Sequence, residues 1–182
     1  MPRPTREQID DEILDVAATL FARHGFKETS VQRIADAVGY SKTGLLHRFP
    51  TKEALQEAVL QRCVEDIRTV TASVLGHRPG PDRDRAANVA FADFAVRRPG
   101  FVALILGIFS SLETVDAAGP LGRIAGAVLE AFAVGAESDF PRRLRVAGAL
   151  GALCVARLAF HDHTSDEVRG HLVALSTDAL GH

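Results

Sequence analysis

The sequence predicts an all-α fold: an N-terminal three-helix helix-turn-helix domain followed by a C-terminal helical domain. Three observations carry that prediction. Apolar residues recur at spacings of three and four from Ile9 to Ala179, the period of helices that bury one face. No stretch keeps the period-two alternation of a strand. The periodic stretches are bounded by residues that cap or stop helices.

The first helix opens at Thr5, with Gln8 at capping-box spacing. It carries Ile9, Ile13, Val16, Ala17 and Leu20 on one stripe and stops at Gly25, since glycine takes the left-handed C′ conformation cheaply. A second helix is capped by Thr29 or Ser30, with Thr29 and Gln32 again at capping-box spacing. It carries Val31, Ile34, Ala35 and Val38 and ends at Gly39. Ser41 caps a third piece, KTGLLHRF, which Pro50 stops. Thr51 caps a longer helix with Leu55, Val59, Cys63, Ile67, Val70 and Val74 on its seam. Helices of about two turns are not stable alone, so the second and third must pack on each other and on the first, which is a helix-turn-helix unit. The stretch HRPGPDRDR, from His77, reads as a linker, and Ala-rich helices follow near 83–97, 101–114, 121–136, 141–160 and 165–180. The expected organisation is residues 1–50 as the helix-turn-helix domain, 51–75 as a connecting helix and 76–182 as the C-terminal domain.

Composition narrows the function. The chain has 182 residues, 47% hydrophobic and 24% charged, with a net charge of −2. Nucleic-acid binding therefore requires a local basic patch. Between Arg23 and Lys52 six cations stand against Glu28 and Asp36, a local sum of +4. The two cysteines, Cys63 and Cys154, have no CxxC partner and read as small hydrophobes in a reducing cytoplasm. The segment MPRPTREQIDDEILD is charged throughout, unlike a signal peptide, and no apolar run of about 20 residues could span a bilayer. No nucleophile–base spacing, Gly-rich phosphate loop or catalytic carboxylate pair is present, so neither an enzyme nor a cofactor is expected.

In the third helix Leu45 and Phe49 lie on one inward face. Lys42, Thr43, Leu46 and His47 then face outward, with Arg48 beside them. The second helix of such a unit enters the major groove. Lys42 can donate to a guanine edge or a phosphate, and Thr43 suits a thymine methyl or a polar edge. Gly44 costs the helix about 1 kcal/mol relative to alanine, which makes sense where a side chain would hold the helix off DNA. Lys52 sits at a helix N-terminus that could also approach a phosphate.

The run from Ile13 to Leu55, ILDVAATLFARHGFKETSVQRIADAVGYSKTGLLHRFPTKEAL, closely resembles the DNA-binding region of the TetR/AcrR family of bacterial transcriptional regulators. The matching residues are Ala17, Phe21, Gly25-Phe26, Thr29-Ser30-Val31, Ile34-Ala35, Gly39, Ser41-Lys42, Leu45, Phe49, Lys52-Glu53 and Leu55. The resemblance implies base contact by Gln32, Lys42, Thr43 and Gly44, and backbone contact by Ser30, His47, Arg48 and Lys52. It departs at Leu46, where the family usually has a phosphate-binding tyrosine. Leu46 can meet a thymine methyl instead.

The resemblance also implies a divergent ligand-binding domain beyond the connecting helix. Phe91, Phe94, Leu104, Ile105, Ile108, Phe109, Leu112, Val128 and Phe132 could line an apolar cavity, with Arg157 among its few polar groups. Ordinary core filling is the competing reading of each. In the segment from Arg142 to Phe160, Leu144, Gly148, Gly151, Val155 and Leu158 make one stripe of a helix that is apolar nearly all round. With a last helix capped at Thr164 and carrying Leu172, Leu175 and Ala179, it is expected to form a C2 dimer interface. Two readers on a two-fold axis match half-sites about 34–36 Å apart. His161, Asp162, His163 and His171 include metal-ligand types, yet HDHTSDE reads better as a polar turn with its cap. The expectation is a repressor released from a palindromic DNA operator by a small hydrophobic effector, with helix 52–75 as lever. A ligand-independent DNA-binding protein and an activator are the alternatives.

Overall fold

The computed structural model describes residues 5–109, 116–163 and 165–181. Among these it has nine helices and no strand: α1 (Arg6–His24), α2 (Val31–Ala37), α3 (Lys42–Arg48), α4 (Lys52–Val74), α5 (Pro81–Arg97), α6 (Pro99–Phe109), α7 (Pro120–Ala131), α8 (Phe140–Ala159) and α9 (Ser165–Leu180). Leu112 and Thr164, and the side chains of Ile108 and Phe109, lie outside the described residues.

The first four helices begin where the caps require. The Thr5 hydroxyl accepts from Gln8 N–H at 3.2 Å and Gln8 Oε1 accepts from Thr5 N–H at 2.8 Å, the reciprocal pair of a capping box. Ser41 accepts from Gly44 N–H at 3.0 Å and Thr51 from Ala54 N–H at 3.0 Å. At α2 the cap is Ser30, accepting from Arg33 N–H at 3.1 Å. Thr29 is no cap. It is fully buried, and its hydroxyl donates to Leu20 O at 3.2 Å and Gly25 O at 2.8 Å, holding the turn to the end of α1. Gly25 and Gly39, at φ +79° and +72°, turn the chain out of α1 and α2. Ile13, Ala17 and Phe21 of α1, Ile34 and Ala35 of α2, Leu45 of α3, and Leu55 and Val59 of α4 form one buried cluster. The whole α4 seam down to Val74 is buried with them.

Three boundaries differ from expectation by two residues or more. Helix α5 starts at Pro81 rather than 83. Helix α6 starts at Pro99 rather than 101, with proline at its first position, where its missing N–H goes unnoticed. Helix α7 ends at Ala131 rather than 136. Its last carbonyls are taken by arginines from other helices: Arg83 donates to Ala131 O at 2.9 Å and Glu130 O at 2.5 Å, and Arg142 to Phe132 O at 2.6 Å. Arg142 also makes a bidentate pair, both bonds 2.6 Å, with the buried carboxylate of Asp84.

Helix α1 packs along α6 as well as on α2 and α4. The free N–H groups that start α6 are met by α1: both Asp15 oxygens accept from Gly100 N–H at 3.1 Å, and one from Phe101 N–H at 3.4 Å. A carboxylate at a helix N-terminus is favourable. Burial pushes the Asp15 carboxyl above the usual range, while these N–H bonds and the charge of Arg98 pull it back. Beside it, Arg98 contacts Asp11 at 2.6 Å and Asp66 at 3.1 Å, and Arg62 contacts the same two carboxylates at 2.9 and 3.3 Å. This cluster joins α1, α4 and the α5–α6 link.

A β-carbon at position 100 would lie 1.9 Å from the backbone oxygen of Asp15, whereas one at Gly126 meets nothing within 4 Å. Gly100→Ala is expected to lower the unfolding free energy by about 2 kcal/mol through overpacking, and Gly126→Ala to raise it by about 0.5 kcal/mol. Urea unfolding of both variants measures the difference.

Candidate nucleic-acid interface

The third helix is seven residues long and is held by one buried side chain. Leu45 is completely buried against the cluster of α1 and α2, and Phe49 packs at its edge. The remaining face is open: Lys42, Thr43 and His47 are exposed, and Gly44 and Leu46 are half-buried. Gly44 has little need to be glycine for the protein's own packing. A β-carbon there would meet Ser41 Oγ at 3.1 Å and Tyr40 Cδ1 at 3.8 Å, a tight but not impossible fit.

Other residues expected at this surface already have partners. Gln32 donates to Asp36 Oδ1 at 2.6 Å, one turn on along α2. Ser30 serves as the α2 cap while staying exposed. Arg48 pairs with Asp10 of α1, and its guanidinium stands 5.9 Å from the Tyr40 ring centre. Its charge is thus compensated within the protein. Lys52 donates to Phe26 O at 2.9 Å and Lys27 O at 3.2 Å, with Nζ 4.4 Å from the Phe26 ring centre. Carbonyls and a ring face orient that ammonium without neutralising it, so Lys52 still contributes positive potential beside the α4 N-terminus.

The acidic residues of α1 have specific work. Asp10 binds Arg48, Asp11 binds Arg62 and Arg98, and Asp15 caps α6. Tyr40, the only tyrosine in the chain, was not singled out in the sequence. It is half-buried between Gly44 and Arg48 on the open side of α3. Its position directly before the Ser41 cap was the available signal.

The interior expected to hold an effector is packed. Phe91, Phe94, Ile105, Val128 and Phe132 do converge, all buried, with the Phe91 and Phe132 rings stacked at 5.7 Å. The void that Phe91, Phe94, Ile105 and Val128 border with Leu150, Leu153 and Cys154 is about 10 Å³, hardly room for one water. Leu104 is half-buried at the edge of this core. Arg157 is buried in it, donates through Nε to Ala95 O at 3.3 Å, and has no partner for Nη1 among the described residues. Core filling is therefore what the side chains do in this conformation, because large aromatic rings from α5, α6 and α7 meet face to face.

The expected dimer stripe is largely on the surface. Leu144 and Val155 are 59% and 54% exposed. Gly148 and Leu175 are exposed too, and Gly151, Leu158 and Ala179 half-buried. Leu172 is the exception. It is buried with Val168, Ser176 and Leu180 on the four-residue stripe that α9 turns inward, so it belongs to the protomer's own core. His161 Nε2 lies 3.1 Å from Asp162 Oδ1 in an exposed turn. Among the described residues no three His, Cys, Asp or Glu side chains gather as a metal site, and no helix is long and apolar enough to cross a membrane.

Residues 13–59 match the family model described as bacterial regulatory proteins, tetR family. The HTH-type transcriptional repressor KstR2 of Rhodococcus jostii is 41% identical over 71 residues, covering 37% of this chain and 35% of that protein. The HTH-type transcriptional regulator RutR of Escherichia coli is 45% identical over 53 residues, covering 29% and 25%. The alignments thus span about a third or less of these relatives. In fold the likeness extends further. A TetR-family transcriptional regulator from Bordetella parapertussis superposes with a TM-score of 0.60 at 24% identity, over 94% of this chain and 95% of that one. PfmR from Thermus thermophilus gives 0.55 at 22% identity, over 95% and 96%.

Lys52→Met keeps the stem but removes the donors that hold the α1–α2 turn. It is expected to lower stability by about 1–2 kcal/mol and to speed amide exchange at Phe26 to Thr29, read by urea unfolding and hydrogen-exchange NMR.

Proposed function

We propose, for a chain whose residues 13–59 match the family model of the bacterial regulatory proteins, tetR family, a DNA-binding transcriptional regulator that acts as a homodimer. The observation that carries this reading is the open face of α3. Lys42, Thr43 and His47 are exposed on a short helix whose other face is anchored by the buried Leu45. The first turn of α3 enters a major groove of double-stranded DNA, Lys42 donating to a base edge or phosphate and Thr43 packing beside it. Gly44 lets the helix approach closely, and Leu46 faces a thymine methyl. Ser30, His47 and Lys52 lie around that helix as backbone contacts, with Gln32 reaching a base once it leaves Asp36. Tyr40 supplies the phenol hydroxyl that position 46 lacks. Arg48 acts indirectly, by fixing α3 to α1 through Asp10.

The dimer reading is supported by the exposed apolar stripe of Leu144, Gly148 and Val155 on α8, next to Leu175 on α9. Repression of a palindromic operator is the regulatory reading that the repressor relatives favour. Release by a small hydrophobic effector requires a site other than the packed aromatic interior, or an opening of it. The reading places the protein in the cytoplasm, where the buried, unpaired Cys63 and Cys154 stay reduced.

Lys42→Ala is expected to weaken binding to a duplex taken from the region flanking the protein's own gene by about 1–3 kcal/mol. Lys52→Ala should weaken all sequences alike and lower the salt slope by about one. Fluorescence anisotropy at several salt concentrations reads both, and unchanged binding in the two variants would overturn the assignment. Val155→Glu places a charge in the apolar stripe and is expected to give a monomer by sedimentation equilibrium. A variant that stays dimeric would exclude this stripe as the interface.

A further inference from the structure

The aromatic interior is closed, but the junction between α1 and the C-terminal helices is not. A groove of about 760 Å³ runs where α1, α6 and α8 meet, within the size range of small-molecule sites. Its walls include Ala22 and Arg23 of α1, Leu106 and Gly107 of α6, and Leu150 and Leu158 of α8. Arg23 is the one charged residue among those lining it. That side chain is exposed, and among the described residues no hydrogen bond or ion pair engages its guanidinium. An apolar trough with a single uncompensated cation at its rim complements an organic anion that has an apolar body.

We propose that this groove binds such an amphipathic anion, a carboxylate on an alkyl or similarly apolar frame. The carboxylate pairs with Arg23 and the frame lies along Leu106, Leu150 and Leu158. The inference rests on the regulator reading and names the chemical class of its effector. Leu150 and Cys154 line both this groove and the small void of the aromatic core. These two shared side chains give a longer frame a route inward.

The position of the groove supplies the coupling. Helices α1 and α6 are pinned at one end, where Asp15 accepts from Gly100 N–H at 3.1 Å. One to two turns along α1 the contact opens, and Thr19, Ala22 and Arg23 share the groove with Ala103, Leu106 and Gly107. An occupant therefore wedges the free end of a contact whose other end is fixed. It binds better to a conformer in which the C-terminal end of α1 stands away from α6, and so shifts the population toward that conformer. That end of α1 leads through Gly25 and Phe26 directly into α2 and the reader.

The test is isothermal titration of the full chain with decanoate and with decanol. Decanoate is expected to bind one per protomer and to weaken binding of the flanking-region duplex. Gly107→Leu projects its side chain into open space, fills the groove and lowers decanoate affinity by about tenfold or more. Arg23→Gln weakens decanoate by about fivefold and leaves decanol unchanged. Equal decanoate binding by the wild type and both variants overturns the proposal. So does a chain that binds the duplex and not decanoate, a result that leaves the regulator reading standing. Decanoate binding as expected by a chain that binds no DNA sinks the regulator reading instead. Sedimentation velocity completes the test: Gly107→Leu should self-associate as the wild type does, and an altered association constant assigns the groove to a second copy and overturns the ligand.

Discussion

The carboxylate of Asp15 holds the N-terminus of α6 against the middle of α1, and the placing of the first three helices on the rest of the molecule follows from it. The first N–H groups of any helix lack partners within it. Here those of Gly100 and Phe101 are met by a side chain from a different part of the fold. Burial of that carboxylate is unfavourable by itself, as the upward push on its proton affinity indicates. The helix N-terminus and Arg98 offset the cost. The contact also demands glycine at 100, because any side chain would occupy the space of the Asp15 backbone. Arg62 and Arg98 then bridge Asp11 and Asp66 so that α4 joins the same knot. Helix α1 is accordingly joined to the C-terminal helices through α6 as well as through the long helix α4.

The N-terminal unit of short helices is small, and its cations are divided between two tasks. Arg48 is ion-paired with Asp10, and Lys52 is oriented by two carbonyls and the Phe26 ring. Both fix the angles of short helices that have little intrinsic stability. Lys42, Lys27, Arg33 and Arg23 are exposed. A sum of charges along the chain counts all six equally, whereas the field outside the protein weights the uncompensated ones. The same acidic stretch of α1 that balances Arg48 thereby also shapes the positive face.

In the C-terminal part, arginines do what capping residues do elsewhere. Arg83 and Arg142 take the terminal carbonyls of α7, and Arg142 is held in turn by Asp84. Closing α7 early brings Phe132 onto Phe91 and fills the interior. One of the grooves outside that core lies against α1.

The sequence by itself determined the all-α class, the positions of all nine described helices to within a few residues, and the caps Thr5, Ser41 and Thr51. These are local matters, governed by helical periodicity and by N–H groups that need partners within three residues. It also determined that Leu45 faces inward and Lys42 outward, since a two-turn helix has few ways to bury one leucine. The tertiary structure decided the rest. Thr29 became a buried clasp rather than a cap because the end of α1 lies within reach of its hydroxyl. Arg48 and Lys52 found partners 38 and 26 or 25 residues away, and Leu172 turned inward because α9 packs on α5 and α8. Whether a set of apolar side chains encloses a cavity or fills one depends on how helices far apart in the chain approach each other, and no spacing along a single helix contains that distance.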